Sequence, residues 1–235
     1  MSDSKKKSKF STSVVHIPWT NLRENPAWFN YPLDCFLMQE QVEGADDEKA
    51  TTSENSKLVM FCAKGSDLWQ RTSYGFRRDS AHAFLAADLL QDRAIEVGFS
   101  IFSFKDQFDQ AGILVRENED NWIKAGVELA DGVLHLSVVA TRAGFSDWST
   151  SALPSAWDSE SKIIVQVSRK GDALIVKTIL AETKEEDEGE WRLMRVCPMP
   201  VESRLHAGPY SCAPSRDGLF VEFFHYAECD AQSLH

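Results

Sequence analysis

The segment QAGILVRENEDNWIKAGVELADGVLHLSVVATR (110–142) places the chain's most varied polar side chains at alternate positions. Trp122, Lys124, Glu128, His135, Ser137 and Thr141 share one parity of two consecutive runs, and Arg116 joins them from the run before. An indole, two cations, a carboxylate, an imidazole and two hydroxyls suit hydrogen bonding to a polar ligand that an aromatic ring covers. Gly112 and Gly126 leave space among them. Two catalytic arrangements use the same residues. Glu128 and His135 would form a proton-transfer dyad, with Lys124 or Arg116 holding an oxyanion. Alternatively, Glu128 would be half of a glycoside hydrolase or lyase pair, which in a retaining glycosidase needs a second carboxylate about 5–5.5 Å away. Parity puts only Glu128 on this face, so the second acid would come from a loop, at Asp109 or Asp147. Each arrangement has a plainer counterpart: a solvated sheet face is also polar, and opposed Glu and His are also a simple cross-strand pair.

These placements rest on the hairpin that must carry them. Asp131-Gly132, between two alternating runs, is a two-residue turn signal. Such a turn pairs Ala130 with Val133, Glu128 with His135, Gly126 with Ser137, Lys124 with Val139 and Trp122 with Thr141. Ile123, Ala125, Val127 and Leu129 then face the core with Leu134, Leu136, Val138 and Ala140. Two flanking segments are read as loops that reach the polar face. DLWQRTSYGF (67–76) brings Trp69, Gln70, Arg71 and Tyr74, and TRAGFSDWSTS (141–151) brings Ser146, Asp147 and Trp148. Trp69, Trp122 and Trp148 would be stacking platforms for a sugar, or else wedges between sheets.

Period-two runs dominate the remainder. LVMFCAK (58–64), AIEVGFSIFSF (94–104), KIIVQVSR (162–169), DALIVKTIL (172–180), EWRLMRV (190–196) and GLFVEFFHY (218–226) read as further strands. SAHAFLAADLL (80–90) is the one plausible helix, with a strand over His82–Leu85 as the alternative. The pattern predicts an all-β antiparallel sandwich with few short helices, over 13–230, behind a basic tail at 1–12 that is read as disordered. Acidic loop insertions are expected at 41–56 and 182–190.

Composition narrows the function classes. Of 235 residues, 25 are Lys or Arg and 36 are Asp or Glu, a net charge of −11, which argues against direct nucleic-acid binding. Much of that charge lies in residues 43–54, net −4, and 182–190, net −5, offset by +3 in the tail. There is no long apolar run for a membrane span, and MSDSKKKSKFSTS, with no apolar stretch after its charged start, is not expected to act as a secretory leader. Cys35, Cys62, Cys197, Cys212 and Cys229 form no C-x-x-C pair, and the histidines have no metal-ligand spacing. A reducing, cytoplasmic setting is expected, with no disulfides, no metal and no cofactor. P-loop, G-x-G-x-x-G and G-x-S-x-G motifs are absent.

The run FDQAGILVRENEDNWIKAGVEL, followed by DG, LHLSVVATRAGFSDWS, resembles the signature of a domain-of-unknown-function family with a concanavalin A-like jelly-roll sandwich. The resemblance continues through DLWQRTSYGF, SRKGDALIVK, EWRLMRV and AGPYSCAPSRDGLFVEFF, from about Pro18 to Tyr226. It implies the fold. A fungal member is described as a regulator of enolase, which implies an intracellular role in regulating carbohydrate metabolism without an agreed activity. The matching motif positions are Trp69, Gln70, Arg71, Asp109, Gln110, Arg116, Trp122, Lys124, Glu128, Asp147 and Trp148. The resulting expectation is a non-catalytic module that binds a carbohydrate-like or anionic metabolite. A catalytic role for Glu128 with a loop acid, and a protein-interaction module without a ligand, are the alternatives.

Overall fold

Alternating side chains need two surfaces to pack against, and the chain supplies them by folding into two large antiparallel sheets. The computed structural model describes residues 14–39, 56–154, 156–180 and 191–231. The basic tail and nearly all of both acidic insertions lie outside them. In chain order the strands are β1 (Val15–His16), β2 (Trp28–Phe29), β3 (Asp34–Gln39), β4 (Ser56–Phe61), β5 (Leu68–Gln70), β6 (Arg77–Asp79), β7 (His82–Phe84), β8 (Ala87–Asp88) and β9 (Arg93–Ser100). They continue as β10 (Gln110–Asn118), β11 (Asn121–Ala130), β12 (Val133–Arg142), β13 (Phe145–Ala152), β14 (Lys162–Lys170), β15 (Ala173–Leu180), β16 (Arg192–Pro198), β17 (His206–Cys212) and β18 (Phe220–Asp230).

Sheet I runs β16-β15-β14-β9-β18-β4-β3, with β1 also on β18. Sheet II runs β13-β12-β11-β10-β17-β7-β2, with β8 also on β17. Their inner faces share one core, in which Phe99, Val165, Val176 and Phe223 of sheet I meet Ile113, Ile123, Ala125 and Val138 of sheet II. The sequence and its resemblance had implied this sandwich. The one helical turn among the described residues is the 3-10 turn Leu22–Glu24. None of these residues forms a helix long and apolar enough to cross a membrane.

The central hairpin follows the register expected from its turn. Ala130 opposes Val133, Glu128 opposes His135 and Trp122 opposes Thr141. Asp131 and Gly132 take φ of 52° and 76°, the two left-handed positions that a tight turn of this hand requires. Segment 80–90 is not a helix. Its two short strands β7 and β8 pair with β17, through Ala83 to Tyr210 and Ala87 to Ala207. Backbone pairing across the sheet overrides the local alanine-rich helix signal.

The segment 141–151, read as a loop, instead closes β12 and forms most of the edge strand β13, which pairs with β12 along its length. A second cluster lies on the outer face of sheet II. The separate hairpin β5-β6 folds over that face, so Leu68 and Trp69 pack against Leu114, Trp122, Val139 and Tyr210. Trp122 of the expected polar face therefore belongs to a small core, and Lys124 and Glu128 line the pocket described next.

Candidate functional site

Register brings Leu114, Lys124, Val139 and Trp148 into one row across β10 to β13, with Gln110, Glu128 and His135 in a parallel row. Where the β5-β6 hairpin stops short of these rows, a pocket of about 180 Å³ remains. Lys124, Glu128, Val139 and Trp148 from sheet II line it, together with Phe108 and the hairpin's Asp67, Trp69, Tyr74 and Phe76.

The floor is an ion-pair network. Lys124 is buried and donates from Nζ to Asp67 Oδ1 at 3.0 Å and to Gln110 Oε1 at 2.7 Å. Burial works against its ammonium, but attraction by Asp67 and Glu128 and the Asp67 hydrogen bond more than offset it, so its pKa lies above the ordinary value. Glu128, also buried, accepts from Ser137 Oγ at 2.8 Å, and Ser137 in turn accepts from Trp148 Nε1 at 3.0 Å. Burial raises the Glu128 pKa, against the pull of Lys124 and the Ser137 hydroxyl.

A raised folded-state value means that Glu128 contributes stability below its unfolded value, near 4.5, and loses it as pH rises through the folded value. Glu128→Gln has no carboxylate to ionise. Its melting temperature is therefore expected to gain on wild type as pH rises from 4.5 towards neutrality, and the difference then to stay constant. Parallel thermal melts across that range check this, and a difference that does not change with pH refutes it.

The walls are aromatic. Trp69 and Tyr74 meet edge to face at 5.5 Å, and Tyr74 and Phe76 lie 5.7 Å apart. Phe108 holds φ +66°, a left-handed value that costs a bulky residue about 1–2 kcal/mol. Neighbouring bonds impose it: Phe108 N–H donates to Leu129 O, while the buried Asp109 accepts the N–H groups of Lys105 and Asp106 and the Arg216 guanidinium. Asp109 thus shapes the wall from behind and is not a pocket acid.

The structure brings Trp69, Lys124, Glu128 and Trp148 together, with Gln110 supporting the lysine. It removes the other expected residues from the pocket, each for a visible reason. Trp122 is fully buried under the hairpin and donates to Glu119 O, and Gln70 donates to the same carbonyl. Arg116 is held by both oxygens of Asp79, at 2.9 and 2.8 Å, with its guanidinium 4.2 Å from the Phe29 ring centroid. Thr141 is spent on Ser146, whose hydroxyl accepts the Gln70 N–H.

Arg71 turns outward onto Phe145, 5.3 Å from its centroid. Asp147 lies on the opposite parity of β13 and pairs with Arg195 at 2.6 Å, so it cannot be the second acid. The Glu128–His135 dyad is also absent, because His135 Nδ1 faces its own strand's Val133 carbonyl while Glu128 takes Ser137. Sequence reasoning missed Asp67, Phe76 and Phe108. A carboxylate at the head of the Trp-bearing turn was the available signal for Asp67.

The profile of the family described as a protein of unknown function, DUF1349, matches residues 45–229. The chain belongs to that family. It is 35% identical over 176 residues to "Regulation of enolase protein 1" of Saccharomyces cerevisiae, covering 74% of this chain and 82% of that one. A solved structure of a functionally unknown protein from the same yeast superposes with a TM-score of 0.69 at 29% identity, covering 88% of this chain and 96% of that one. The DUF1349 sandwich also resembles part of a xylan beta-1,4-xylosidase from Bacillus halodurans. There the TM-score is 0.54 at 13% identity, over 74% of this chain and 33% of the enzyme, a likeness of fold alone.

Proposed function

We propose that this protein is a non-catalytic binding module that seats one small carbohydrate-like ring between the β5-β6 hairpin and sheet II. The observation that carries the reading is a collar of Trp69, Tyr74, Phe76, Phe108 and Trp148 around a floor of Lys124, Asp67 and Glu128. Aromatic faces accept the C–H faces of a sugar, and carboxylate oxygens accept its hydroxyls. The volume, about 180 Å³, is below the roughly 300–1,000 Å³ of drug-sized sites, which favours a single ring over a chain. Lys124 already spends its charge on Asp67, so the floor favours an uncharged ring over an anion. The name of the yeast relative supports a place in the regulation of carbohydrate metabolism. Five buried free thiols support a reducing, cytoplasmic setting.

Calorimetric titration with glucose, xylose and related monosaccharides tests the module. Saturable binding is expected with at least one of them, weakened about tenfold in Trp148→Ala, the order of one lost aromatic contact. Trp148 is 37% exposed on an edge strand, so the variant keeps its fold. No binding by any of these sugars sinks the reading.

One observation favours a second reading: Asp67 places a loop carboxylate in the same pocket as Glu128. Two carboxylates are what glycosidic cleavage requires. Turnover separates the readings. Hydrolysis of aryl glycosides that is lost in both Asp67→Asn and Glu128→Gln would establish an enzyme, whereas binding without turnover keeps the module.

A further inference from the structure

In a chain of net charge −11, the hairpin that roofs the pocket carries three arginines within eight residues, Arg71, Arg77 and Arg78. Two of them are occupied. Arg71 covers Phe145, and Arg77 lies 3.5 Å from Asp120. Arg78 differs from both. It is exposed, donates to the Arg77 carbonyl at 3.1 Å, and pairs with no carboxylate of the described residues. Its guanidinium stands 5.2 Å from the Phe76 ring centroid, and its backbone partner in the hairpin is Trp69. Phe76 and Trp69 are both pocket walls. A continuous path therefore leads out of the pocket from ring to ring, through Trp69, Tyr74 and Phe76, and ends at a cation.

We infer that Arg78 is an anion-recognition residue at the mouth of the pocket, and that the ligand is a monosaccharide monophosphate. This deepens the binding-module reading and rests on it: the ring occupies the aromatic collar, and the phosphate projects out to the guanidinium. The division follows from charge. The floor holds two carboxylates against one ammonium and disfavours an anion, whereas Arg78, beside the wall residue Phe76, has no carboxylate partner among the described residues. A planar guanidinium fixed over a ring presents its remaining N–H groups edge-on, the geometry in which it binds phosphate through two parallel hydrogen bonds.

The test compares glucose and xylose with their monophosphates, and with inorganic phosphate, by calorimetric titration on wild type and Arg78→Gln. The readout is the ratio of affinities, monophosphate to parent sugar, in each protein. Wild type is expected to prefer a monophosphate by about tenfold, a preference that shrinks with added salt and falls to about one in Arg78→Gln. Inorganic phosphate alone is expected to bind far more weakly than the sugar monophosphate. A parent sugar that binds as tightly as its monophosphate overturns this inference and leaves the module standing. So does a preference that survives in Arg78→Gln. Failure of all the sugars and their monophosphates to bind overturns both.

Discussion

Replacing Lys124 with methionine is expected to cost about 3–5 kcal/mol of folding stability, the usual penalty for removing one partner of a buried charge pair. The lysine is 4% exposed and is the single ammonium among the pocket residues, where it holds Asp67 and Gln110 and attracts Glu128. Without it, Glu128 is left buried with no cation to offset its charge, and Asp67 loses one of the contacts that tie the hairpin to sheet II. Adding Glu128→Gln to Lys124→Met should return part of the loss, so the two changes should be clearly non-additive. Urea unfolding of the two single variants and the double variant measures this. A Lys124→Met variant within about 1 kcal/mol of wild type would show that the network contributes little.

Gly126→Ala should be at least as damaging, for reasons of backbone geometry. Gly126 faces Gly112 across the β10-β11 ladder. A Cβ on Gly126 would sit 2.0 Å from the Ala111 carbonyl oxygen and 2.8 Å from the Gly112 Cα. Both obstacles are backbone, so no rotamer change relieves them. The expected loss is at least about 3 kcal/mol, within the class of overpacked core substitutions. Gly132→Ala is the matched contrast. A Cβ there meets nothing within 4 Å and suffers only from the positive φ, a cost of about 1 kcal/mol. Similar stabilities for the two variants would contradict the close approach of the strands.

The fate of the expected features follows from how locally each was encoded. Asp131-Gly132 fixes its own hairpin, because a two-residue turn determines every pair beyond it, and the parities of Lys124, Glu128 and their core-facing neighbours followed from that turn. Parity assigns a residue to a face but does not reveal what covers that face. Trp122 and Arg116 were placed on the correct side of sheet II and still lie outside the pocket, because the β5-β6 hairpin folds over them. That placement is held by Asp79 to Arg116, 37 residues apart, and by Asp67 to Lys124, 57 residues apart. No local pattern announces such contacts. The strand at 145–152 was hidden by composition. Its Ser, Thr and Asp residues suit a loop, yet an edge strand with one exposed side tolerates them. The run at 80–90 carried spacing compatible with helix and strand, and pairing with β17 decided between them.

The hairpin's manner of attachment separates two properties that are entangled in most sites. Asp67 and Asp79 are fastened to sheet II by Lys124 and Arg116, and every residue between them belongs to one contiguous stretch of chain. Three of the five aromatic walls and the mouth arginine lie inside that stretch, whereas Lys124, Glu128 and the glycine ladder lie outside it. The roof is therefore an exchangeable cassette between two fixed clasps. Under the proposed binding role, recognition is rewritten at Tyr74, Phe76 and Arg78, while Leu68, Trp69 and Gln70 keep the roof seated on sheet II and the floor stays unaltered.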